Sequence, residues 1–509
     1  MFKTLGKLYE VNLATPMGLA RLGLSLSQSG SNLMAVLQFA ARTYPERTAI
    51  VDDKETILYK DLYTQTMQLA FGLHQQYAIE SGKKVGILCK NNAAIVKAIV
   101  ALSRLGADVY LLNPDMTKAQ LDQLNEQHTF DLVIHDLAVW KTVQTSDYEG
   151  KTLLSYHLTF PSIDSLSKPK KAQTVALPKD AQGNLVVLSG GTTGKFKSAA
   201  RKPSVSNFLN PFFALLKQLH LGQYKSVYIA TPVFHGFGLA SMIMSMVLGS
   251  KMLLLERFDL AQITRYFLKH KIEVVVVVPA LLRRLLQLQK LEWLYIRCVL
   301  CGGAPLPPDL VKQTFQQYQY DLANLYGSSE AGFSIMATTD DLKKYPNTIG
   351  KAIKGVSTKV INQQQQPVPT GTIGQLHLKS KWSMQNAVDT WIHTGDLAYQ
   401  NEEGFFFHCG RSDEMIVSGG ENVYPIELEQ ILQQHPAIAT AAVIGIPDPQ
   451  FGQGLKAFVT LYPNQTLTIE QLKPWLKEHT ARHQFPKAIE FLDELPRTSI
   501  GKVNKKVLS

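Results

Sequence analysis

Length, composition and charge exclude several classes of protein. The chain has 509 residues, of which 45% are hydrophobic and 18% charged, so we expect two to four domains rather than one compact core. Its 52 basic and 41 acidic side chains give a net charge of +11. Because the basic residues are dispersed, this excess favours anionic substrates over nucleic acid as partners. No apolar run is long enough to span a membrane, and the N-terminus is a poor signal peptide, so we expect a cytoplasmic protein.

The N-terminal segment 17–26 is apolar apart from Arg21. Such a segment either packs against the body of the protein or touches the inner face of a membrane as a peripheral contact. We favour packing, and the membrane contact stays open.

Four cysteines are too few for a disulfide scaffold in a chain of this length. Cys298 and Cys301 form a C-x-x-C pair, a spacing that also occurs in metal and redox sites. The pair lies in the apolar run 296–301, however, which predicts a buried strand. Residues three apart on a strand point to opposite faces, so we interpret both as core residues.

From about Lys83 the chain alternates between predicted strands and helices, which indicates parallel sheets with helical cover. The predicted strands are 85–89, 107–112, 184–188, 226–230, 251–255, 273–278 and two near Cys298 and Leu325, and the predicted helices are 93–105, 239–247, 260–268, 279–288 and 308–318. After Pro346 an alternating pattern at 373–378 predicts a half-buried strand. From about Glu414 a small α+β domain is predicted, with helices 425–433 and 469–479 and strands 438–444 and 456–461.

A loop rich in glycine and hydroxyl groups, LSGGTTGKFK at 188–197, follows the strand 184–188. Such a loop wraps backbone N–H groups around a phosphate, and Lys195 and Lys197 add positive charge. The spacing differs from a Walker A loop, and an ordinary surface loop is the alternative. Three more unusual loops, 231–238, 302–306 and 326–330, also follow predicted strands. Ligands of parallel sheets bind beyond the carboxyl ends of strands, so we expect these loops to converge.

Six motifs in order resemble the adenylate-forming superfamily of acyl-CoA synthetases, firefly luciferases and peptide-synthetase adenylation domains, and within it bacterial fatty acyl-CoA synthetases. The motifs are 188–197, 326–330, 393–396, 410–411, 419–425 and 496–502. The resemblance implies an α/β fold with a large N-terminal adenylation domain, 1–411, of parallel-type sheets with helical cover plus a distorted β-barrel-like part. It also implies a small mobile α+β C-terminal lid domain, 412–509, with a hinge near Arg411–Glu414.

The resemblance also implies a role for individual residues. The expected ATP-binding residues are Ser189, Gly190, Gly191, Thr192, Thr193, Gly194, Gly302, Gly303, Ala304, Pro305, Asn324, Tyr326, Gly327, Ser329, Asp396 and Arg411. Gly419, Gly420 and Glu421 resemble the path of the CoA pantetheine arm. The expected catalytic residues are Lys502, Glu330, His235 and Lys197, with Glu330 and Thr192 as magnesium ligands. A packed structural histidine is the alternative for His235.

The implied reaction is ATP- and magnesium-dependent ligation of a carboxylic acid to coenzyme A through acyl-AMP. Residues 237–247 carry no charge and contain Met242, Met244 and Met246. They predict either an adaptable wall for a medium- or long-chain fatty acid or a packed core helix. The sequence leaves two other readings open, a fatty acyl-AMP ligase that loads an acyl carrier protein and a non-catalytic acyl or nucleotide binder. The absence of a long insertion near 356–377 favours CoA as acceptor.

Overall fold

The structure is a computed structural model. It describes residues 6, 8–9, 11–168, 177–178, 182–190, 196–201, 205–288, 291, 293–384, 388–418, 421–448, 452–481, 484–498 and 502–508.

The first part of the chain contains eight strands and seven helices of more than three residues. In chain order they are α1 (Pro16–Ser29), α2 (Leu33–Thr43), β1 (Thr48–Val51), β2 (Thr56–Leu58), α3 (Tyr59–Tyr77), β3 (Lys84–Leu88), α4 (Ala93–Leu105), β4 (Asp108–Leu111), α5 (Lys118–His128), β5 (Leu132–His135), α6 (Trp140–Thr145), β6 (Lys151–Leu154), α7 (Ile163–Ser167), β7 (Leu185–Gly190) and β8 (Phe196–Arg201) among the described residues.

The middle part continues the alternation of strands and helices. Its elements are α8 (Val205–Gln218), β9 (Ser226–Ile229), α9 (Gly236–Leu248), β10 (Lys251–Leu253), α10 (Leu260–His270), β11 (Val274–Val277), α11 (Pro279–Leu285), β12 (Cys298–Gly302), α12 (Pro308–Gln317) and β13 (Asp321–Ser328).

The last part is richer in strands. Its elements are β14 (Gly332–Ala337), α13 (Thr339–Lys344), β15 (Thr348–Ala352), β16 (Ser357–Ile361), β17 (Gly374–Lys379), β18 (Ile392–Gln400), β19 (Phe406–Arg411), β20 (Ile416–Ser418), β21 (Glu421–Val423), α14 (Pro425–Leu432), β22 (Ile438–Asp448), β23 (Gly452–Leu461), α15 (Ile469–His479) and β24 (Ala488–Phe491).

Two large sheets confirm the prediction of parallel sheets with helical cover. One has the strand order β6-β5-β3-β4-β7-β8 and is parallel except for the β7–β8 hairpin. The other has 13 strands, and its central strands β1-β10-β9-β11-β12-β13 are all parallel. Helices lie between the sheets and on their outer faces, so both sheets are buried.

Alternation along the strands places neighbouring side chains in different cores. On β11, Val274 and Val276 face the core between the two sheets, whereas Val275 and Val277 face the outer helices. Cys298 and Cys301 on β12 divide in the same way, and both are free thiols in buried positions. The interpretation of this pair as core residues is therefore confirmed. No cluster of three potential metal ligands of the His, Cys, Asp or Glu type occurs in the described parts of the chain.

Local sequence signals set the ends of α4, which lies between the sheets. The Asn92 side chain accepts a hydrogen bond from the Ile95 N–H at the first turn, and Gly106 ends the helix at a φ of 73°. A polar N-cap and a left-handed glycine are the strongest end signals a helix has. The predicted bounds 93–105 are therefore the observed bounds.

The distorted barrel-like part takes the form of an open antiparallel extension of the 13-stranded sheet. Strands β14, β15, β19, β18, β17 and β16 follow β13 in that order, each pairing antiparallel with the next. Over the described residues these strands do not close into a barrel.

The final segment has its own sheet and core. Strands β21, β20, β23 and β22 form a sheet in which β24 also pairs with β23, and α14 and α15 cover it. The change of sheet falls between β19, which ends at Arg411, and β20, which begins at Ile416. We propose that the domain boundary lies at 411/412, as the resemblance implies.

Among the described residues, no helix is both long and apolar enough to cross a bilayer.

Candidate active site

A cleft of about 1370 Å³ opens where the carboxyl ends of the parallel strands face the C-terminal segment. Its N-terminal wall contains residues just beyond β3, β9, β11 and β12 and residues near the end of β13, among them Asn91, Thr231, Pro279, Gly303 and Tyr326. The opposite wall is lined by residues of the last hundred positions, including Glu429, Thr440, Tyr462, Arg497 and Lys502. Three of the four predicted loops therefore converge on one cleft.

The backbone after β12 leaves an open surface on the cleft wall. Gly303 has a φ of 78°, a conformation that L side chains rarely adopt, and a Cβ there would meet only Val278, at 3.5 Å. Gly302, one residue earlier, is closely packed, because its Cβ would lie 2.5 Å from the Leu325 carbonyl oxygen. Ala304 and Pro305 continue the wall. This flat, small-residue surface fits the face of a planar base.

Asp396 on β18 is the centre of a polar network at the floor of the cleft. The Tyr326 hydroxyl donates to its Oδ2 at 2.6 Å, and Arg411 Nη1 donates to its Oδ1 at 3.3 Å. His408 Nε2 lies 3.5 Å from the same Oδ1. Strand pairing brings these groups together, because Asp396 on β18 is directly opposite Arg411 on β19. A buried carboxylate with several donors is held in one position.

The network keeps Asp396 ionised. Burial alone would raise the pKa of this carboxyl, but the hydrogen bonds and charges of His408, Tyr326 and Arg411 outweigh burial and hold the pKa below its usual value. Burial and the neighbouring carboxylate raise the pKa of Tyr326 well above the ordinary phenol value. The phenol therefore stays a donor, and the carboxylate remains available to accept hydrogen bonds from hydroxyl groups in the cleft.

Lys502 lines the cleft and lies near enough to His235 for its charge to act on that imidazole. Lys502 is exposed to the solvent of the cleft, but the protein atoms around its ammonium reduce the hydration of that group and lower its pKa. The charge of Asp396 opposes this shift, and the charge of Arg411 adds to it. Burial and the charge of Lys502 lower the pKa of His235 to about 4. His235 is therefore a neutral imidazole at neutral pH, and it directly precedes α9. The structure brings these two predicted residues together.

A separate contact joins the two walls at the edge of the cleft. Arg283 on α11 donates to the Tyr462 hydroxyl at 2.9 Å and pairs with Asp309 on α12 at 2.7 Å. Arg497 lies close enough for the charges of Arg283 and Arg284 to lower its pKa, although burial is the larger cause. Sequence reasoning missed Arg283, since its partner Tyr462 is 179 positions away.

Asn91 is a second residue that sequence reasoning missed. Its buried amide donates to the carbonyl oxygens of Ile229 and Thr231 at 3.1 and 3.0 Å and accepts from the Val233 N–H at 2.7 Å. These bonds fix the loop that leads to His235. Its position immediately beyond a parallel strand was the available signal.

Glu330, Ser329 and Asn324 surround the end of β13. Glu330 is half-buried after the strand, and its carbonyl oxygen accepts from the Met384 N–H at 2.8 Å. Carboxylate oxygen is the ligand type that magnesium prefers, so this residue fits the predicted metal site by its chemistry. Ser329 is half-buried beside it. Asn324 is buried and lines the cleft. Its amide also donates to the Thr348 carbonyl oxygen at 3.1 Å, a hydrogen bond that connects β13 to β15.

Several predicted residues cannot be placed. Gly191, Thr192, Thr193, Gly194, Gly419 and Gly420 lie outside the described residues. Ser189 and Gly190 belong to β7, where their backbones pair with Lys197 and Phe196 of β8, so both ends of the predicted loop 188–197 are paired strand residues. Glu421 is in β21 opposite Ser418. The roles of all the predicted site residues stay predictions.

The fold and the cleft agree with one family. The AMP-binding enzyme family matches residues 37–386, which is more than half of the chain, and the AMP-binding enzyme C-terminal domain matches residues 427–502. The chain belongs to the AMP-binding enzymes, and the resemblance inferred from its motifs is confirmed.

Similar proteins of this family are CoA ligases. The 2-succinylbenzoate–CoA ligase of Listeria monocytogenes serotype 4b (strain F2365) is 30% identical and covers 93% of this chain and 98% of its own length. The long-chain-fatty-acid–CoA ligase of Bacillus subtilis (strain 168) is 29% identical and covers 94% of both chains.

Solved structures agree with this relationship. The o-succinylbenzoate CoA synthetase of B. subtilis in complex with its acyl-adenylate intermediate has a TM-score of 0.80 at 25% identity, over 93% of this chain and 97% of that one. The same enzyme has been solved with ATP and a magnesium ion. The predictions of an AMP-forming acid–thiol ligase and of ATP, magnesium and CoA as its cofactors are confirmed by these relatives.

Proposed function

We propose that this ligase activates a medium- or long-chain fatty acid. The observation that carries this proposal is the accessible face of α9, which begins directly after His235. Phe237, Ala240, Met244 and Val247 lie three or four residues apart, so they share one side of the helix, and each is only partly covered or exposed. No residue from 236 to 248 is charged. An aliphatic chain whose carboxylate lies near His235 would cover this apolar face.

The opposite face of α9 explains the remaining methionines. Met242 and Met246 are fully buried in the core between the two sheets. The prediction of a packed core helix accounts for this face, and we propose the wall for the acid on the accessible face only. Only Met244 supports the adaptable wall predicted for the acid.

The first step joins the acid to ATP. A carboxylate oxygen of the acid attacks the α-phosphorus, the bond to the β-phosphate bridging oxygen breaks, and pyrophosphate leaves with that bond's electron pair. In the proposed roles, Asp396 accepts hydrogen bonds from the ribose hydroxyls, and the Lys502 ammonium stabilises the negative charge on the phosphoryl oxygens. Neutral His235 adds no charge to this step. Magnesium, held by Glu330 and Thr192 in this proposal, supplies further neutralisation of phosphate charge when bound.

The second step transfers the acyl group to CoA. The thiolate attacks the carbonyl carbon of the acyl-adenylate, and AMP leaves as the thioester forms. Lys502 lines the cleft in the observed arrangement, so we propose that the C-terminal segment moves to admit the thiol.

An aromatic keto acid is the second candidate substrate, since the relatives at 28–30% identity include several 2-succinylbenzoate–CoA ligases. That acid carries two carboxylates, and the accessible face of α9 offers no cation to the second one.

The test is AMP and thioester formation with a panel of acids from acetate to oleate and 2-succinylbenzoate, with and without CoA. We expect CoA-dependent turnover on one band of fatty acids. Ala240→Phe should move the preference to shorter acids, because a larger side chain would occupy the proposed path of the tail, whereas Ala98→Gly, a small change in the core, should leave the preference unchanged. Preferred turnover of 2-succinylbenzoate would establish the second candidate. Adenylation without thioester formation would indicate a carrier-protein acceptor.

A further inference from the structure

The N-terminal helix α1 turns its apolar side outward. Met17, Leu19 and Leu24 are 61%, 56% and 53% exposed, and Ala20 and Gly23 beside them are exposed as well. Tyr9, just before the helix, is 61% exposed. A surface helix normally directs its leucines to the core and its polar side chains to water, so α1 reverses the usual arrangement.

The fully buried residues of α1 are Gly18, Ser25 and Ser29, all of them small. Gly18 is buried so tightly that a Cβ would lie 1.6 Å from the Asn12 carbonyl oxygen. Ser29 donates to Gln38 at 2.8 Å, and Arg42 donates to Ser25 at 3.1 Å and to Gln28 at 2.6 Å. These specific contacts fix the orientation of the helix. Its apolar face therefore stays exposed to solvent in the described chain.

Charge around the helix points to the kind of partner. Residues 11–45 contain two arginines, Arg21 and Arg42, and no aspartate or glutamate. Arg21 is half-buried at the border of the apolar face. An apolar strip with a basic residue at its border is typical of a helix that lies in the headgroup region of an anionic bilayer.

We propose that α1 docks the protein on membranes that contain anionic phospholipid, with Met17, Leu19 and Leu24 inserted below the headgroups and Arg21 at their level. This inference concerns a surface outside the cleft and goes beyond the proposed function. It does not depend on which acid the enzyme activates.

The test is sedimentation of the full-length protein with vesicles of phosphatidylcholine, either alone or with about one third phosphatidylglycerol. We expect binding to the anionic vesicles, and we expect Leu19→Glu/Leu24→Glu to lower the bound fraction about fivefold or more. Arg21→Glu should weaken binding to anionic vesicles by a smaller factor, because it removes only the electrostatic contribution.

The matched control is Leu137→Glu/Leu294→Glu, which changes two leucines of nearly equal exposure, 56% and 52%, elsewhere on the surface. All variants should unfold at the wild-type temperature, since none of the changed leucines is buried. Equal vesicle binding by wild type and Leu19→Glu/Leu24→Glu would overturn the proposal. A dimer in solution that dissociates only in that variant would also overturn it, in favour of self-association.

Discussion

Asp396 and Lys502 face the same cleft, but they are held in it by different means. Asp396 lies on a central strand of the antiparallel extension, its side chain is 14% exposed, and Tyr326, His408 and Arg411 surround it. Lys502 lies near the end of the chain, where the Thr498 N–H donates to its carbonyl oxygen at 2.7 Å, and the residue is exposed to solvent.

The contrast between the buried Asp396 and the exposed Lys502 agrees with the different roles proposed for them in the two steps of the reaction. A nucleotide must be held in one position through both steps, which suits a buried network that is complete before the substrate arrives. In the proposed roles the ammonium is needed only in the first step, and its position in the C-terminal segment, which has its own sheet, would allow it to leave. Substitutions on the Asp396 side of the cleft, the fixed side, and on the Lys502 side, the movable side, should therefore have different effects.

The largest effect is expected for Lys502→Ala. Loss of the ammonium should slow acid-dependent pyrophosphate exchange about a hundredfold or more, since one charge-stabilising group contributes that much to comparable reactions. ATP affinity should change less than about threefold, because the proposed nucleotide contacts lie on the other wall. Lys506→Ala, an exposed lysine four residues later, is the control and should retain wild-type exchange.

Asp396→Asn should act on the fixed side. The amide keeps the size of the carboxylate but loses its charge, so the proposed hydrogen bonds to the ribose weaken and Arg411 keeps only Asp413 as a carboxylate partner. We expect the KM for ATP to rise about tenfold to a hundredfold, the range for a charged hydrogen bond. The KM for the acid should stay near the wild-type value. Equal increases in both constants would show that the network does not act through the nucleotide.

Gly395→Ala should produce a smaller defect of the same kind. Gly395 has a φ of 78°, and a Cβ there would lie 2.5 Å from the Arg411 guanidinium, which must move away from Asp396. We expect a KM for ATP several-fold above wild type and a loss of about 1 kcal/mol in the free energy of unfolding. Gly404→Ala is the matched control, because its φ is 82° but its Cβ would meet only Gln400, at 3.7 Å. It should share the loss of stability without the change in KM.

The smallest effect is expected at the contact between the walls. Tyr462→Phe removes the hydroxyl that accepts from Arg283, so the arrangement with Lys502 in the cleft should be less populated. Pyrophosphate exchange should slow about twofold to fivefold, as expected for one partly exposed hydrogen bond. Thioester formation from a supplied acyl-adenylate should be unchanged or faster. Arg283→Met should give a similar result, and the double variant should be no worse than the more severe single variant.

The regular elements could be predicted from sequence because their signals are local. The bounds of α15 at Ile469–His479 were predicted at both ends, where Thr468 caps the helix and Lys477 and His479 occupy its last turn. By contrast, β13 runs three residues beyond its predicted end, because pairing with β14 extends it. Helix α11 ends at Leu285, short of the predicted Leu288. Strand pairing and tertiary contacts decide such ends, and a single sequence does not contain them.

The candidate site likewise contains residues that sequence motifs reveal and residues that only the fold reveals. Asp396, Arg411 and Tyr326 could be proposed from their motifs, but their hydrogen bonds join residues up to 70 positions apart and depend on sheet order. Asn91 and His408 lie in no recognised motif, so only the fold reveals their contacts. The outward face of α1 was also unpredictable, since an apolar segment most often packs inward.

The central claim is that Asp396 acts in both steps and Lys502 only in the first. The most direct test is to bypass the first step in the Lys502→Ala variant. The variant is supplied with a preformed fatty acyl-adenylate and CoA, and the rate of thioester formation is measured beside the wild type. A rate within about threefold of wild type, together with the loss of pyrophosphate exchange, is the predicted result, because the ammonium acts only in the first step. Equal losses in both steps would contradict the account and would make Lys502 a fixed part of the cleft.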